Sequence, residues 1–457
     1  MKILFVYPNE EGYPMLPLGP SILAGLLRDA GHEVDLFDLT FLVSKKKDQE
    51  VREKLGTVKK VDATEYWGET PEFDISVEYE NKIKSFQPDL LCFSIVENVY
   101  GCAKTLIDAA KKICDTPILV GGVFPTSAPE FFTEDPNVDL VCVGEGEYLI
   151  LEVAKRMENK ENLDGIPNLI TKTFQSTSYS SYYNWDPYAL PNWEIFDERH
   201  LWKPFMGEMR RTGYFETARG CPHKCTYCVN QGYQEKFKDL GNYNRLKSVD
   251  VSVAEIKHFK DTYGIEFVWF NDENFMMMSR SRWDEFTKKY GSELNLPFFI
   301  QTRADTLLQE DRIKALKDIN CITIACGVEV GNEPRRKGLL NKHVSNESYR
   351  KAVALCNKHG IRVSCNVILG LPYETEEDII ETAKFCKEIE TPNVTVSIFA
   401  PYHGSHLYDV CVQEGFIDNS YHDSISIRDT SILNMPQISK ERINELYFNF
   451  NKMVYGG

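Results

Sequence analysis

Cys221, Cys225 and Cys228 stand in a Cys-x3-Cys-x2-Cys arrangement within ARGCPHKCTYCVN. Three thiolates on one loop can hold three irons of a [4Fe-4S] cluster and leave the fourth iron open to another ligand. That spacing is too specific for three core cysteines. Zinc competes for the same donors, but it takes a fourth close protein ligand, and no nearby downstream residue completes a familiar zinc pattern.

The loop directly follows an expected strand, GYFETARG (213–220), and further apolar runs come after it: IEFVWFND (265–272), PFFIQTR (297–303), CITIACGVE (321–329), RVSCNVILG (362–370) and NVTVSIFAP (393–401). Helical spacing separates them, notably around Val251 to Tyr263, Asp311 to Asp318, Ser348 to His359 and Thr375 to Ile389. Six strands in this order predict an incomplete β/α barrel, with its chemistry at the C-terminal strand ends. A conventional open sheet would place a ligand at a switch point instead, and the pattern alone leaves both open.

Before the barrel, KILFVY (2–7), a helical stripe ending at Gly31, and Val34 to Leu39 read as a parallel βαβ crossover. DLLCFSIV (89–96), PILVGG (117–122) and DLVCVGEGE (139–147) repeat the pattern as continuous apolar strands, which suits a parallel sheet covered on both faces. The fold class is therefore α/β: a doubly wound, Rossmann-like domain over 1–160, an aromatic-rich connector over 161–204, a partial (β/α)6 TIM-like barrel over 205–400, and a C-terminal extension over 401–457 that helps to close the site. Thr40 to Phe73 is charged and poorly periodic, an excursion or a lid. Tyr182, Tyr183, Trp185, Trp193 and Trp202 make the connector an ordered, packed segment rather than a flexible linker. Gly121 and Gly122 end one strand, and Gly144, Glu145 and Gly146 form a turn after another. Glycines there permit close backbone approach or positive φ, although neither group is a complete dinucleotide fingerprint.

The cysteine loop and the partial barrel resemble the radical S-adenosylmethionine superfamily over residues 213 to about 400, with Tyr227 at the aromatic position before the third cysteine. The resemblance implies that the open iron binds the amino and carboxylate groups of S-adenosylmethionine and that the reduced cluster cleaves it to a 5′-deoxyadenosyl radical. On the same footing, Asp272 and Glu273 are expected near the methionine amine, Arg303 and Glu329 near its carboxylate or the ribose, and Gly370 near adenine. Each has a plainer reading: a solvated or capping pair, an internal ion pair, or an ordinary strand-to-helix turn. PNEEGYPMLPLGPSILAGLLRDAGHEV, ILVGG and VCVGEGE resemble the cobalamin-binding domain attached to many such enzymes. Gly121, Gly122, Gly144, Glu145 and Gly146 are then expected at cobalamin. The Asp-x-His-x-x-Gly signature of a lower histidine ligand is absent, and His32 reads as a cap or surface residue.

The resemblance implies a cobalamin-dependent methyltransferase acting on an unactivated carbon or phosphorus centre. Carbon-carbon coupling, cyclisation or rearrangement, with or without bound cobalamin, is the alternative, and a non-catalytic iron-sulfur electron carrier a more distant one. The expected partners are a small-molecule or lipid-like substrate and an external one-electron reductant such as flavodoxin or ferredoxin. Lys plus Arg number 52 against 68 Asp plus Glu, a formal charge of −16, which argues against a broad nucleic-acid surface. The 457 residues are 42% hydrophobic and 26% charged, which excludes a disordered or collagen-like chain. No apolar run approaches the roughly 20 residues that span a bilayer, the first residues lack a secretory signal, and thirteen cysteines are too sparse for a disulfide scaffold. A cytoplasmic protein is expected. His403 and His406 lack carboxylate or cysteine partners in sequence. Cys326, Cys365 and Cys411 read as buried thiols, with hydrogen-atom donation to a substrate as the sharper alternative.

Overall fold

The computed structural model describes residues 1–10, 14–42, 47–68, 74–176, 178–185, 189–417 and 430–456, with side chains at 47–49 left aside. Tyr421 and parts of the charged excursion (43–46 and 69–73) lie outside the described residues. The chain forms two compact units: Met1–Asp48, Asp62–Trp202 and Phe237–Gly241 make one, and Gln49–Val61, Lys203–Lys236 and Asn242–Gly457 the other.

In the first unit, β1 (Lys2–Tyr7), β2 (Glu33–Asp38), β3 (Leu90–Ser94), β4 (Ile118–Gly121), β5 (Leu140–Cys142) and β6 (Leu169–Thr171) form a sheet ordered β2-β1-β3-β4-β5-β6. The first five are parallel, and β6 runs antiparallel to β5. Helices Leu18–Asp29 and Glu147–Glu158 pack together, as do Ile75–Phe86 and Tyr100–Ile113. Buried on both sides, β1, β3, β4 and β5 carry near-continuous apolar residues, and Leu4, Val6, Leu91, Phe93, Val120 and Val141 share a core with Tyr79, Ile83 and Ile107. Strand order reverses between β1 and β3, so the crevice of this sheet opens at the C-terminal ends of those strands.

The second unit is built on β7 (Trp202–Phe205), β8 (Glu208–Phe215), β11 (Phe267–Phe270), β12 (Phe298–Thr302), β13 (Cys321–Glu329), β14 (Arg362–Leu369) and β15 (Asn393–Ile398), with two short strands, β9 (Ala218–Arg219) and β10 (Arg245–Leu246), pairing separately. From β8 to β15 the six long strands are parallel neighbours in chain order. There is no reversal and hence no switch point, which is the arrangement of a partial barrel and not of an open doubly wound sheet. Side chains alternate as a pleated strand requires. Phe270 faces the helix Arg280–Glu293, against Phe286 and Tyr290. Trp269 therefore faces the other way, stacked on Phe299 with ring centroids 3.8 Å apart. β7 and β8 join through Met206 and Gly207, both at positive φ, as a tight two-residue turn requires.

Residues 49–61 belong to this second unit although the sequence places them in the first domain. Leu55 is buried, Asn451 of helix Lys440–Tyr455 donates to the Leu55 carbonyl at 2.8 Å, and Lys54 Nζ stands 4.5 Å from the Phe448 ring centroid. Among the described residues, no helix is long and apolar enough to cross a membrane, and all thirteen cysteines are free thiols.

Candidate cluster and cofactor sites

The cysteine loop leaves β9 through Gly220 at φ 87°, where a Cβ would lie 2.3 Å from the Tyr243 carbonyl oxygen, so only glycine fits. Gln234 of the following helix, Val229–Lys236, donates to the carbonyls of Cys221 and His223 at 2.8 and 2.9 Å. Cys225 is buried, and Cys221 and Cys228 are half-buried. Burial pushes all three thiols up, Cys228 to about 11; Cys221 feels Cys225, and Cys228 feels both of the others. Lys342 and Arg303 oppose the rise at Cys225. Among the described residues no three His, Cys, Asp or Glu side chains converge as ligands of a single ion. Three soft donors on one loop, with Lys342 and Arg303 acting on Cys225, fit a [4Fe-4S] cluster.

Asp272 follows β11 and is 1% exposed. Its carboxylate accepts from the Thr217 N–H and hydroxyl at 2.6 and 2.7 Å and from the Ala218 N–H at 3.0 Å. Burial raises its pKa to about 7 despite those bonds. Its oxygens are spent on joining the ends of β8 and β11. Glu273 is open to solvent, yet its carboxyl is raised because protein atoms displace water around it, and its charge reaches Cys221. Arg303 is bidentate to Asp305 at 2.8 and 3.0 Å. Glu329 is buried at φ 64° and accepts from Tyr227 Oη at 2.9 Å and Lys342 Nζ at 2.7 Å. Burial disfavours the lysine's charge, but Glu329, Tyr349 and Cys326 together outweigh it, so Lys342 titrates above its ordinary range.

Gly370 sits at φ 78°, and its N–H donates to Glu374 Oε2 at 2.5 Å; the Leu371 N–H shares that oxygen at 3.2 Å. Fully buried, Glu374 is pushed up to about 8, while Arg335 and the two N–H groups pull it back. Lys342 and Glu374 were not legible in the sequence as site residues. His223 Nε2 and Asn274 Nδ2 are buried and have no hydrogen-bond partner among the described residues. Asn274 lies at the C-terminal end of β11, bonded to Thr302 through Oδ1. Unpaired polar atoms beside the thiols and the strand ends fit a polar cofactor such as S-adenosylmethionine. His403 is buried against Tyr408, whereas His406 is exposed, so the two do not face one site. Cys326, Cys365 and Cys411 are buried thiols raised by desolvation.

At the C-terminal ends of the first sheet, Gly122 adopts φ 110°, and a Cβ there would lie 2.7 Å from the Ile95 carbonyl oxygen. Gly144 adopts φ 97°. Thr126, another residue without a sequence signal, joins the two turns by donating to the Gly122 carbonyl at 2.8 Å and accepting from the Gly144 N–H at 3.0 Å. Gly121 stands at the end of β4, Gly146 opens the helix Glu147–Glu158, and Glu145 Oε2 accepts from the Tyr183 N–H at 3.0 Å. Val96 and Val123, beside the ends of β3 and β4, are each 43% exposed. An edge of glycine turns and uncovered apolar side chains fits a large flat macrocycle. His32 bonds the chain's N-terminal amine, at the opposite end of the sheet, and His200 Nε2 is held 2.5 Å from Asp38.

Residues 215–386 match the radical SAM superfamily and residues 70–154 the B12 binding domain. The barrel with its cysteine loop is thus a radical SAM domain. The chain carries this radical SAM domain preceded by a B12-binding-like domain, an arrangement that matches cobalamin-dependent radical SAM enzymes, and its homologues with these domains carry a [4Fe-4S] cluster, S-adenosylmethionine and cobalamin. It is 25% identical over 435 residues to an uncharacterized methyltransferase of Pyrococcus horikoshii, covering 91% of this chain and 84% of that protein. It is 23% identical over 427 residues to the anaerobic magnesium-protoporphyrin IX monomethyl ester cyclase of Rubrivivax gelatinosus, covering 89% and 69%. Its fold is similar to that of the radical S-adenosylmethionine methyltransferase TsrM from Kitasatospora setae, solved with cobalamin and a [4Fe-4S] cluster bound. The TM-score is 0.67 at 17% identity, over 91% of this chain and 75% of that one.

Proposed function

We propose that this enzyme is a cobalamin-dependent methyltransferase that alkylates an unactivated carbon or phosphorus centre of a small-molecule or lipid-like substrate. The observation that carries the reading is the pairing, in one chain, of a three-thiol barrel with a sheet whose glycine-turned, apolar C-terminal edge suits a corrin. The methyltransferase of Pyrococcus horikoshii, similar over nearly the whole chain, supports it. When bound, the cluster and S-adenosylmethionine supply a carbon radical and cobalamin supplies a methyl group.

The chain's own part is to bind, orient and exclude water. Cys221, Cys225 and Cys228 hold the irons. Glu273, its neighbour Asp272 being committed to Thr217, meets the methionine amine. Arg303, Glu329 and Gly370 line the remainder of that cofactor, and Gly121, Gly122, Gly144, Glu145 and Gly146 face cobalamin. An external flavodoxin- or ferredoxin-like reductant delivers single electrons. The thirteen unpaired thiols accord with the reducing cytoplasm.

The cyclase of Rubrivivax gelatinosus favours a second reading, in which the radical closes or rearranges a carbon skeleton. Anaerobic quantification of iron, sulfide and cobalt on reconstituted protein given hydroxocobalamin, together with assay of 5′-deoxyadenosine under reduction, separates them. Retained cobalt with the nucleoside supports methyl transfer. The nucleoside without cobalt points to coupling or cyclisation, and a reducible cluster with no nucleoside points to an electron carrier.

A further inference from the structure

The cysteine loop is tied to one short stretch of the barrel. Thr226 donates from its N–H to the Leu340 carbonyl at 3.1 Å and from its hydroxyl to the Leu339 carbonyl at 2.6 Å. Asn341 Nδ2 donates to the Lys224 carbonyl at 2.7 Å. Lys342 and Tyr227 then meet on one oxygen of Glu329, at 2.7 and 2.9 Å. Four consecutive residues, 339–342, thus grip the three residues Lys224, Thr226 and Tyr227 that surround Cys225 and precede Cys228.

The arrangement is built at a cost. Glu329 holds a left-handed φ of 64°, a conformation that a non-glycine residue keeps only when its surroundings compel it. A Cβ on Gly327 would lie 2.0 Å from Glu329 Oε1 and 2.8 Å from Lys342 Nζ, so that glycine makes room for the pair. Glu329 and Lys342 are both buried, and a buried ion pair adds little net stability, because desolvating the two charges offsets their attraction. What it does fix is geometry. Arg336, fully buried, donates to the Val328, Val330 and Val344 carbonyls and so shapes the turn that carries Glu329 back toward the loop.

We propose that residues 339–342, through the Tyr227–Glu329–Lys342 contact, form a clamp that sets the cysteine loop in its ligand-holding shape before iron and sulfide arrive. Tyr227 and Lys342 are positioning residues: they act on the thiols through the loop. The proposal rests on the cluster assignment and is independent of which reaction follows.

The test compares parent, Tyr227→Phe and Lys342→Met proteins, both cluster-free and anaerobically reconstituted. Tyr227→Phe keeps the ring and removes one hydroxyl bonded to a charged acceptor. Iron should then pass to a chelator about tenfold faster than from the parent. Amide exchange across 224–228 of the cluster-free protein should rise, while its thermal midpoint stays within a few degrees. Lys342→Met should show the same direction more strongly, and if it does not fold, the Tyr227→Phe result decides alone. Unchanged iron release and unchanged exchange in Tyr227→Phe would overturn the clamp. A parent protein that takes up no iron would overturn the cluster assignment and the clamp with it.

Discussion

The carboxylate of Asp272 holds Thr217 by two hydrogen bonds, from its N–H at 2.6 Å and from its hydroxyl at 2.7 Å. The acid at the end of β11 thereby fixes the backbone that leads into the cysteine loop. Because burial raises Asp272 from 3.8 to about 7, the folded protein binds its proton more tightly than the unfolded chain does. The stability this adds is complete below the ordinary value and is lost as pH rises through about 7. Cluster-free protein should therefore melt at lower temperature at pH 8 than at pH 5 through this group. Asp272→Asn keeps an acceptor for both N–H groups and can donate to the Thr217 hydroxyl, so it should retain the fold and flatten that slope in thermal melts.

Replacing any one of Cys221, Cys225 or Cys228 by Ser should abolish the iron-sulfur absorbance and bring iron and sulfide per chain to background. Cys225 is buried and Cys221 and Cys228 are half-buried, but serine is close to cysteine in size, so circular dichroism and the cluster-free melting midpoint should remain close to the parent's. A loss of fold alongside the loss of iron would mean that the thiols serve packing instead.

Glu374 shares one oxygen between the Gly370 and Leu371 N–H groups inside the barrel wall. Glu374→Ala removes that acceptor and leaves buried donors unpaired, with an expected loss of about 2 kcal/mol in denaturant unfolding. Glu374→Gln keeps a carbonyl oxygen and should cost much less. It should also remove a pH dependence of the same sign as that of Asp272, extending from 4.5 to about 8.

Gly122→Ala should weaken the first unit by roughly 1–3 kcal/mol, since its conformation belongs almost only to glycine and its new methyl would press on the Ile95 backbone. Hydroxocobalamin retained through gel filtration should fall in parallel, while iron uptake by the cysteine loop stays at the parental level.

The buried parallel strands were legible because strands covered on both faces announce themselves as unbroken apolar runs. β6 and β7 were not, since they span only Leu169–Thr171 and Trp202–Phe205 at sheet edges and carry no periodicity. The cysteines were readable from spacing alone. Lys342 was invisible, because a lysine in a polar stretch resembles a solvated one, and its partner Glu329 lies on a different element. Asp272 and Glu273 were inseparable in sequence, yet adjacent positions at a strand end point to opposite sides, so one is buried on Thr217 and the other faces solvent.

The passage of 49–61 into the second unit, and of 237–241 into the first, bears on heredity as much as on packing. A gene fragment beginning at residue 203 would encode the barrel strands but leave the Asn451 amide and the Phe448 ring without Leu55 and Lys54. Neither half can be inherited, shuffled or expressed by a single cut without carrying off part of the other. A boundary for exchanging or expressing either half must therefore be drawn through three segments of the chain and not one.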